Sequence, residues 1–318
     1  LDAKFRRYGM AESSVSRGGA AKKFIGLSRM THSILDVAHP AAGALLVLGA
    51  APRASIVALG LVSAFSGFTA VFALNDVMDA KVDVEKMAKY RKDSEAFDLD
   101  SVGTRHPIAQ GSLSRGAAIA WVAFWGILSL TTAFLLKPLC AALLIVAVGL
   151  EVCYCRLLRV THWKALLSGL MVAVGGLAGV FAVTSAPSPL AVVLFALWAA
   201  SWEIGGRNIP NDWSDIEEDV NLGVRTMPIR FGRAASSRIA AAFASVIILC
   251  SLAFPLAAPI RQVPVYLALA AVAGLFLLVL PALRWLRVQS TESAMAYFNK
   301  ACFYPLAIFA AMAICLVV

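Results

Sequence analysis

Apolar residues in this chain come in long unbroken runs with short polar punctuation, without the alternation that marks strands or the narrow stripe of a surface helix. Nine runs stand out, at residues 34–50, 54–74, 117–136, 139–154, 166–184, 190–206, 240–258, 263–286 and 301–318. A bilayer core takes about 20 helical residues to cross, so the shorter runs must extend into their flanks. Inside lipid every backbone polar group has to be satisfied within the segment, which selects helices. The punctuation at residues 137–138, 186–189 and 259–264 is short, as helical hairpins require. The pattern predicts an all-α fold, a polytopic membrane bundle of nine transmembrane helices with cytoplasmic cap segments. Residues 24–318 form a single intramembrane domain behind a basic, mobile N-terminal tail, residues 1–23.

Composition agrees. Of 318 residues, 60% are hydrophobic and 15% charged, and the mean hydropathy is +0.79, outside the range of soluble domains. The net charge of +9 would suggest nucleic acid in a soluble protein. Here it reports loops facing anionic lipid and an anionic substrate. With nine spans and an internal N-terminus, 25 of the 28 Lys and Arg residues fall on one side, leaving Arg53, Lys137 and Arg261 outside. That asymmetry orients the bundle. The connection from 84 to 114 is long enough to predict an ordered cap with short helices. Residues 1–23 lack an apolar core, so no cleavable signal peptide is expected there. The six cysteines have no zinc-like spacing and read as free, buried thiols. Gly175 and Gly179 read as a helix-packing pair. Trp198 and Trp202 fit either a pocket wall or an interfacial anchor.

Acidic residues then change the picture. Asn75, Asp76, Asp79 and Asp83 follow the second run directly, and Asn75, Asp79 and Asp83 recur at helical spacing. A second set closes the sixth run: Asn208, Asn211, Asp212, Asp215, Glu217, Glu218 and Asp219, with Asn208, Asp212, Asp215 and Asp219 on one stripe. Like charges one turn apart repel, more so beside a low-dielectric slab, so each set needs a counter-charge. Two facing stripes of oxygen ligands suit Mg2+ and leave coordination positions for a diphosphate. The alternative for either set alone is a solvated polar helix end. Both sets lie on the basic, cytoplasmic side, and the external connections contain no Asp or Glu. Of the remaining acids near membrane depth, Glu203 reads as an i,i+4 partner of Arg207, Glu151 as a partner of Arg159 or of an acceptor, and Asp36 as a neighbour of Arg29 and His32.

Asn75-Asp76-x-x-Asp79-x-x-x-Asp83, the segment Arg105 to Gly111, Tyr154 to His162, and Asp215-x-x-x-Asp219 followed by Gly223-Val224-Arg225-Thr226-Met227-Pro228 together resemble the UbiA superfamily of intramembrane prenyltransferases. Two departures stand out. His106 interrupts the usual Arg-Pro pair, and Leu158 occupies the position where the aromatic prenyltransferases of the 4-hydroxybenzoate type commonly carry Lys.

The resemblance implies a prenyltransferase that uses Mg2+ to move a polyprenyl group from its diphosphate to a small acceptor. An aromatic quinone precursor leads among acceptors. Tetrapyrrole, ether-lipid and sugar-phosphate acceptors are the alternatives within the fold. The implied metal ligands are Asn75, Asp79, Asp83, Asp215 and Asp219. Implied substrate-binding residues are Arg29, Arg105, Arg156, Arg159, Asn208, Asp212 and Arg225. Implied catalytic residues are Asp76, Asp83, Arg105, Tyr154, Arg156 and Arg159. The partners expected are polyprenyl diphosphate, the acceptor and the lipid bilayer of a bacterial inner membrane, with no nucleic acid. A cation-coupled transporter is the competing class, but coupling acids usually lie near the midplane, whereas both sets here sit at one surface.

Overall fold

The computed structural model describes residues 19–89, 99 and 103–317. Most of the expected tail, residues 1–18, lies outside them. Its last residues do not: helix α1 (Ala20–Leu27) begins inside the segment expected to be mobile. Twelve helices follow in chain order. They are α1, α2 (Met30–Leu48), α3 (Ala54–Lys89), α4 (Arg115–Leu136), α5 (Pro138–Arg156), α6 (Lys164–Val183), α7 (Pro189–Ser214), α8 (Ile216–Asn221), α9 (Met227–Phe231), α10 (Arg233–Leu256), α11 (Val263–Val288) and α12 (Thr291–Leu316). Nine of these, α2 to α7 and α10 to α12, are long and apolar enough to cross a membrane. The chain is an integral multi-pass membrane protein with no strand among the described residues.

The apolar runs understate the helices because helical hydrogen bonding continues into polar sequence. The clearest case is α3, with 36 residues, about 54 Å at 1.5 Å per residue against a hydrocarbon core of about 30 Å. Asn75 comes 21 residues after Ala54, about 32 Å along the axis, so the first acidic set rides on the part of α3 that projects beyond the lipid. The last helix likewise starts at Thr291, ten residues before the run at 301, behind a Ser290–Ser293 capping box. Between 103 and 114 the expected short helices are absent, and the chain makes consecutive turns instead.

Close helix contacts come from small residues and polar crosslinks, the usual glue where lipid removes the hydrophobic drive. Ser63 and Ser129 donate reciprocally to each other's carbonyl across α3 and α4, at 3.2 and 2.8 Å. Tyr266 and Tyr304 both bond to Ser251, at 2.8 and 2.9 Å. Large apolar side chains such as Ile127 and Leu249 face outward, as a lipid-facing surface should. Trp198 and Trp202 are fully buried against His39, Phe195 and Phe254, which makes them core residues rather than interfacial anchors. All six cysteines are free, and Cys153 alone is exposed.

Two helices carry π segments, Trp202–Asn208 within α7 and Leu275–Val279 within α11. Each is followed by a proline, Pro210 and Pro281. Proline removes an N–H and presses on the carbonyl four residues back, and widening the preceding turn relieves the clash. In α7 the Gly205-Gly206 pair lets the widened turn pack closely. A Cβ at Gly205 would run into Phe243, and one at Gly206 would lie 3.3 Å from Ala301.

Of the Gly175/Gly179 pair only the second makes a close approach. A Cβ on Gly179 would overlap the Pro40 carbonyl of α2, whereas one on Gly175 would meet only Ala147 Cβ at 3.9 Å. Gly179→Val is therefore expected to push α2 from α6 and cost about 3 kcal/mol, while Gly175→Ala stays within about 0.5 kcal/mol of the parent. Thermal unfolding of the two variants in detergent micelles checks the contrast; equal losses would contradict it.

Candidate active site

The two acidic sets converge where the projecting end of α3 meets the segment from 208 to 219. They do so through cations of the chain itself. Lys86, one turn beyond Asp83, lies 2.7 Å from Asp215 Oδ2, 3.6 Å from Glu218 Oε2 and 3.7 Å from Asp219 Oδ1. His106 Nδ1 lies 2.9 Å from Asp76 Oδ1 and 3.1 Å from Asp83 Oδ2. Burial alone would depress the imidazole, but Asp83 and Asp76 outweigh it and hold its pKa up to about 9. It is therefore a cation at neutral pH, supplying the counter-charge that the first acidic set requires.

Local backbone explains how His106 reaches that position. Thr104 N donates to Lys22 O at 3.0 Å, and a Cβ on Gly26 would overlap the Thr104 carbonyl, so the loop is clamped directly onto α1. His106 itself sits in the left-handed region at φ 46°, an uncommon state for a residue with a Cβ. Pro107 O then accepts from Ser112 and Leu113, and Gly111 at φ 68° closes the turn. The residue next to Pro107 that faces the acids is thus His106, while Arg105 is partly exposed on the same loop.

On α3, Asp76 and Asp83 are seven residues apart and share a face, toward His106. Asn75 and Asp79 turn the other way. Asn75 Nδ2 donates to Glu151 Oε1 at 3.0 Å, its Oδ1 accepts from Arg29 at 3.4 Å, and Asp79 is within the field of Asp83, Glu151, Lys164 and Arg29. Glu151 therefore pairs with Asn75, and with Cys155 Sγ at 3.4 Å, instead of Arg159.

The expected single stripe through Asn208, Asp212, Asp215 and Asp219 is broken. The helix ends at Ser214, Asp215 leaves it at φ −107°, and α8 restarts with Asp219 N and Glu218 N bonded to the Asp215 carbonyl. The break folds Asp219 back toward Lys86 instead of carrying it onward. Burial raises the Asp219 carboxyl to about 7, with Lys86 opposing and Asp212 and Asp215 adding to the rise. Behind this segment, Tyr154 OH accepts from Lys164 Nζ at 3.0 Å and from Asn208 Nδ2 at 3.2 Å. Lys164 Nζ also lies 3.6 Å from Asp212 Oδ1.

Three expected arginines stay at the rim. Arg156 is exposed and makes no hydrogen bond or ion pair among the described residues. Arg159 pairs with Glu85 at 2.7 Å with both half-exposed, and Arg225 is exposed and holds the Val160 carbonyl at 3.0 Å. Arg29 comes close to the first acidic set, bonding Asn75 and acting on Asp79. Its helix junction is set by a left-handed backbone at φ 42°.

Below the acids lies an apolar cavity of about 690 Å3 between α2, α3, α4, α5, α6, α7 and α12. Its walls include Phe68, Phe72, Leu130, Val172 and Phe309, and they run up to Leu74 and Arg207, the residues immediately before Asn75 and Asn208. The polar part of the lining is a buried group. Arg207 lies 2.7 Å from Asp36 and 3.8 Å from Glu203, and Ser168 donates to Glu203 at 2.6 Å. The Glu203–Arg207 pair is the one the spacing suggests. For Asp36 the ion pair is with Arg207, 171 residues away, rather than with its sequence neighbours.

The donor set fits divalent metal. Asp76 Oδ2, Asn208 Oδ1 and Asp212 Oδ2 are buried oxygens with no hydrogen-bond partner among the described residues, and they come from both acidic sets. Asp76 and Asp83 also bring carboxylate oxygens within 4.8 Å of each other. A hard cation takes such oxygens, and buried orphan acceptors are costly without one.

A helical membrane bundle with paired acidic segments over an apolar cavity defines the class, and the sequence comparison identifies the family. The model of the UbiA prenyltransferase family matches residues 38–304, so the chain belongs to the UbiA prenyltransferase family. The apo structure of a UbiA homolog from Aeropyrum pernix K1 shares the fold with a TM-score of 0.71 at 19% identity, over 90% of this chain and 98% of that one. A UbiA homolog from Archaeoglobus fulgidus bound to GPP and Mg2+ gives 0.64 at 19% identity, over 93% and 99%. A structure of digeranylgeranylglyceryl phosphate synthase gives 0.64 at 17%, over 94% and 99%. No curated protein sequence matches the chain.

Because Lys86 is shared by three carboxylates, Lys86→Met is expected to lower stability by about 1–3 kcal/mol, the partial exposure of the pairs moderating the loss. Millimolar Mg2+ should recover part of it. Thermal unfolding with and without Mg2+ measures this, and an identical loss in both conditions would argue against cation binding between these acids.

Proposed function

We propose that the chain transfers a prenyl group from a polyprenyl diphosphate to a small aromatic acceptor of the quinone-precursor type, with Mg2+, releasing diphosphate. The observation that carries this reading is the seating of orphaned buried oxygens from two acidic segments at the head of a 690 Å3 apolar cavity. An amphiphile with an anionic head and a hydrocarbon tail matches that arrangement. The relative bound to GPP and Mg2+ holds ligands of this chemistry.

On α3, Asn75 and Asp79 from one face, and Asp83 with Asp76 from the face toward His106, would hold metal. Asp215 and Asp219, joined by Asn208 and Asp212, would hold it from the other acidic segment. Bound there, Mg2+ supplies charge neutralisation for the departing diphosphate. Arg29 and Arg105 donate to the diphosphate head, and the exposed Arg156, Arg159 and Arg225 draw the anion to the rim. Tyr154 fixes Asn208 through its hydroxyl. The C1–O bond of the prenyl diphosphate breaks, an electron-rich acceptor carbon bonds to C1, and its proton passes to a nearby carboxylate, Asp76 or Asp83, or to the released diphosphate. The apolar walls exclude water from the allylic cation. The basic asymmetry of the connections supports a reaction at the cytoplasmic face, here of a bacterial inner membrane.

Asp79→Ala and Asp215→Ala are each expected to reduce diphosphate release by at least about 100-fold while the bundle remains folded. Radiolabelled polyprenyl diphosphate offered with a panel of acceptors, analysed by mass spectrometry of the products, checks both the reaction and the acceptor. Prenylation of only a sugar or glycerol phosphate would refute the aromatic assignment.

A further inference from the structure

Lys164 is an unexpected residue for its location. It is the first residue of α6, where the helix dipole disfavours a cation, and its side chain is 1% exposed. Desolvating an ammonium costs several kcal/mol unless anions surround it. The partners the chain provides are incomplete. Tyr154 OH, at 3.0 Å, is a neutral acceptor, the Tyr154 ring face lies 4.5 Å from Nζ, and the carboxylate of Asp212 stands at 3.6 Å, beyond a good hydrogen bond. An ammonium has three N–H donors. Only one has a well-placed acceptor among the described residues.

The ammonium also stands between the two halves of the site. It interacts with Asp79 and Glu151 on one side, and with Asp212 and Asp219 on the other. A helix N-terminus and a buried lysine at one point both favour an anion there. Meanwhile Leu158, in the segment just before, cannot contribute charge, and Arg156 and Arg159 point to the rim.

We propose that Lys164 directly binds the diphosphate of the substrate, supplying from the start of α6 the ammonium that Leu158 lacks. Its free N–H groups donate to a non-bridging oxygen of the leaving group, and Tyr154 and Asp212 hold the side chain in place. Lys164 is then a catalytic residue, present as the leaving group gains charge. This inference rests on the prenyl diphosphate reading above.

The test uses the full chain in detergent with Mg2+ and isothermal titration of inorganic pyrophosphate, GPP and geraniol. Lys164→Met is expected to weaken pyrophosphate and GPP by roughly 10–100-fold, the range for losing a charged hydrogen bond, and to leave geraniol unchanged. Lys164→Gln, which keeps polar atoms for Tyr154 and Asp212 without the charge, should show the same selective loss and substitutes where Lys164→Met does not fold. Pyrophosphate affinity equal to the parent in the folded variants would overturn the role of Lys164 and leave the prenyl diphosphate reading standing. Failure of the parent chain itself to bind pyrophosphate or GPP would overturn both.

Discussion

Everything at the acidic end of this bundle answers one constraint: carboxylates gathered at the edge of a low-dielectric slab need counter-charge. Asp76, Asp79, Asp83, Asp212, Asp215, Glu218 and Asp219 approach one another, and the chain brings His106, Lys86 and Lys164 among them. Seven acids against these three cations and Arg29 leave the group short of positive charge. Burial is the main reason that the Asp219 carboxyl is lifted to about 7, and the neighbouring Asp212 and Asp215 add to the rise while Lys86 opposes it. Protonation of a carboxylate relieves part of such a deficit, and a further cation relieves it while the carboxylates stay ionised. A divalent ion meets that need with two charges on a single centre.

The scaffold is shaped to hold this charge in place. Continuing α3 past the lipid carries its acids out to the polar boundary without a hinge. On the opposite side, Pro210 widens the turn ahead of it and Asp215 interrupts the helix after it, so the second segment curls over the first. The clamp of Gly26 on Thr104 serves the same end, since it fixes the strained backbone that points His106 at Asp76 and Asp83.

The bundle was legible in the sequence because lipid imposes the one rule of long apolar runs. The two acidic sets marked the end of the bundle where its charged groups gather. Their partners were harder to read. His106 registered only as an interruption before Pro107, and Lys164 carries no mark of its own in the sequence, because positive-inside residues and site residues look alike until burial is known. Periodicity failed at Asp215 for a physical reason: helical spacing assumes an unbroken helix, and proline chemistry upstream had already disturbed it. Pairs such as Asp36 with Arg207 are set by packing between helices far apart in the chain, so no local pattern encodes them.

Separating charge from cavity also bears on selectivity. The apolar walls offer a hydrocarbon tail no polar contacts to match along most of their length, so they discriminate mainly by volume and shape, whereas the acids and cations above discriminate by charge. The exception is the Asp36–Arg207–Glu203 group in the cavity wall, two carboxylates with one guanidinium. Such a group carries a net negative charge when ionised and so disfavours a second anion in the hydrocarbon space. Arg207 is already held by Asp36 and Glu203, so among the described residues the hydrocarbon space offers an anionic head no unpaired cation. Orientation of an amphiphile in this site then rests on the polar groups at the head of the cavity, with the apolar wall supplying affinity but no direction.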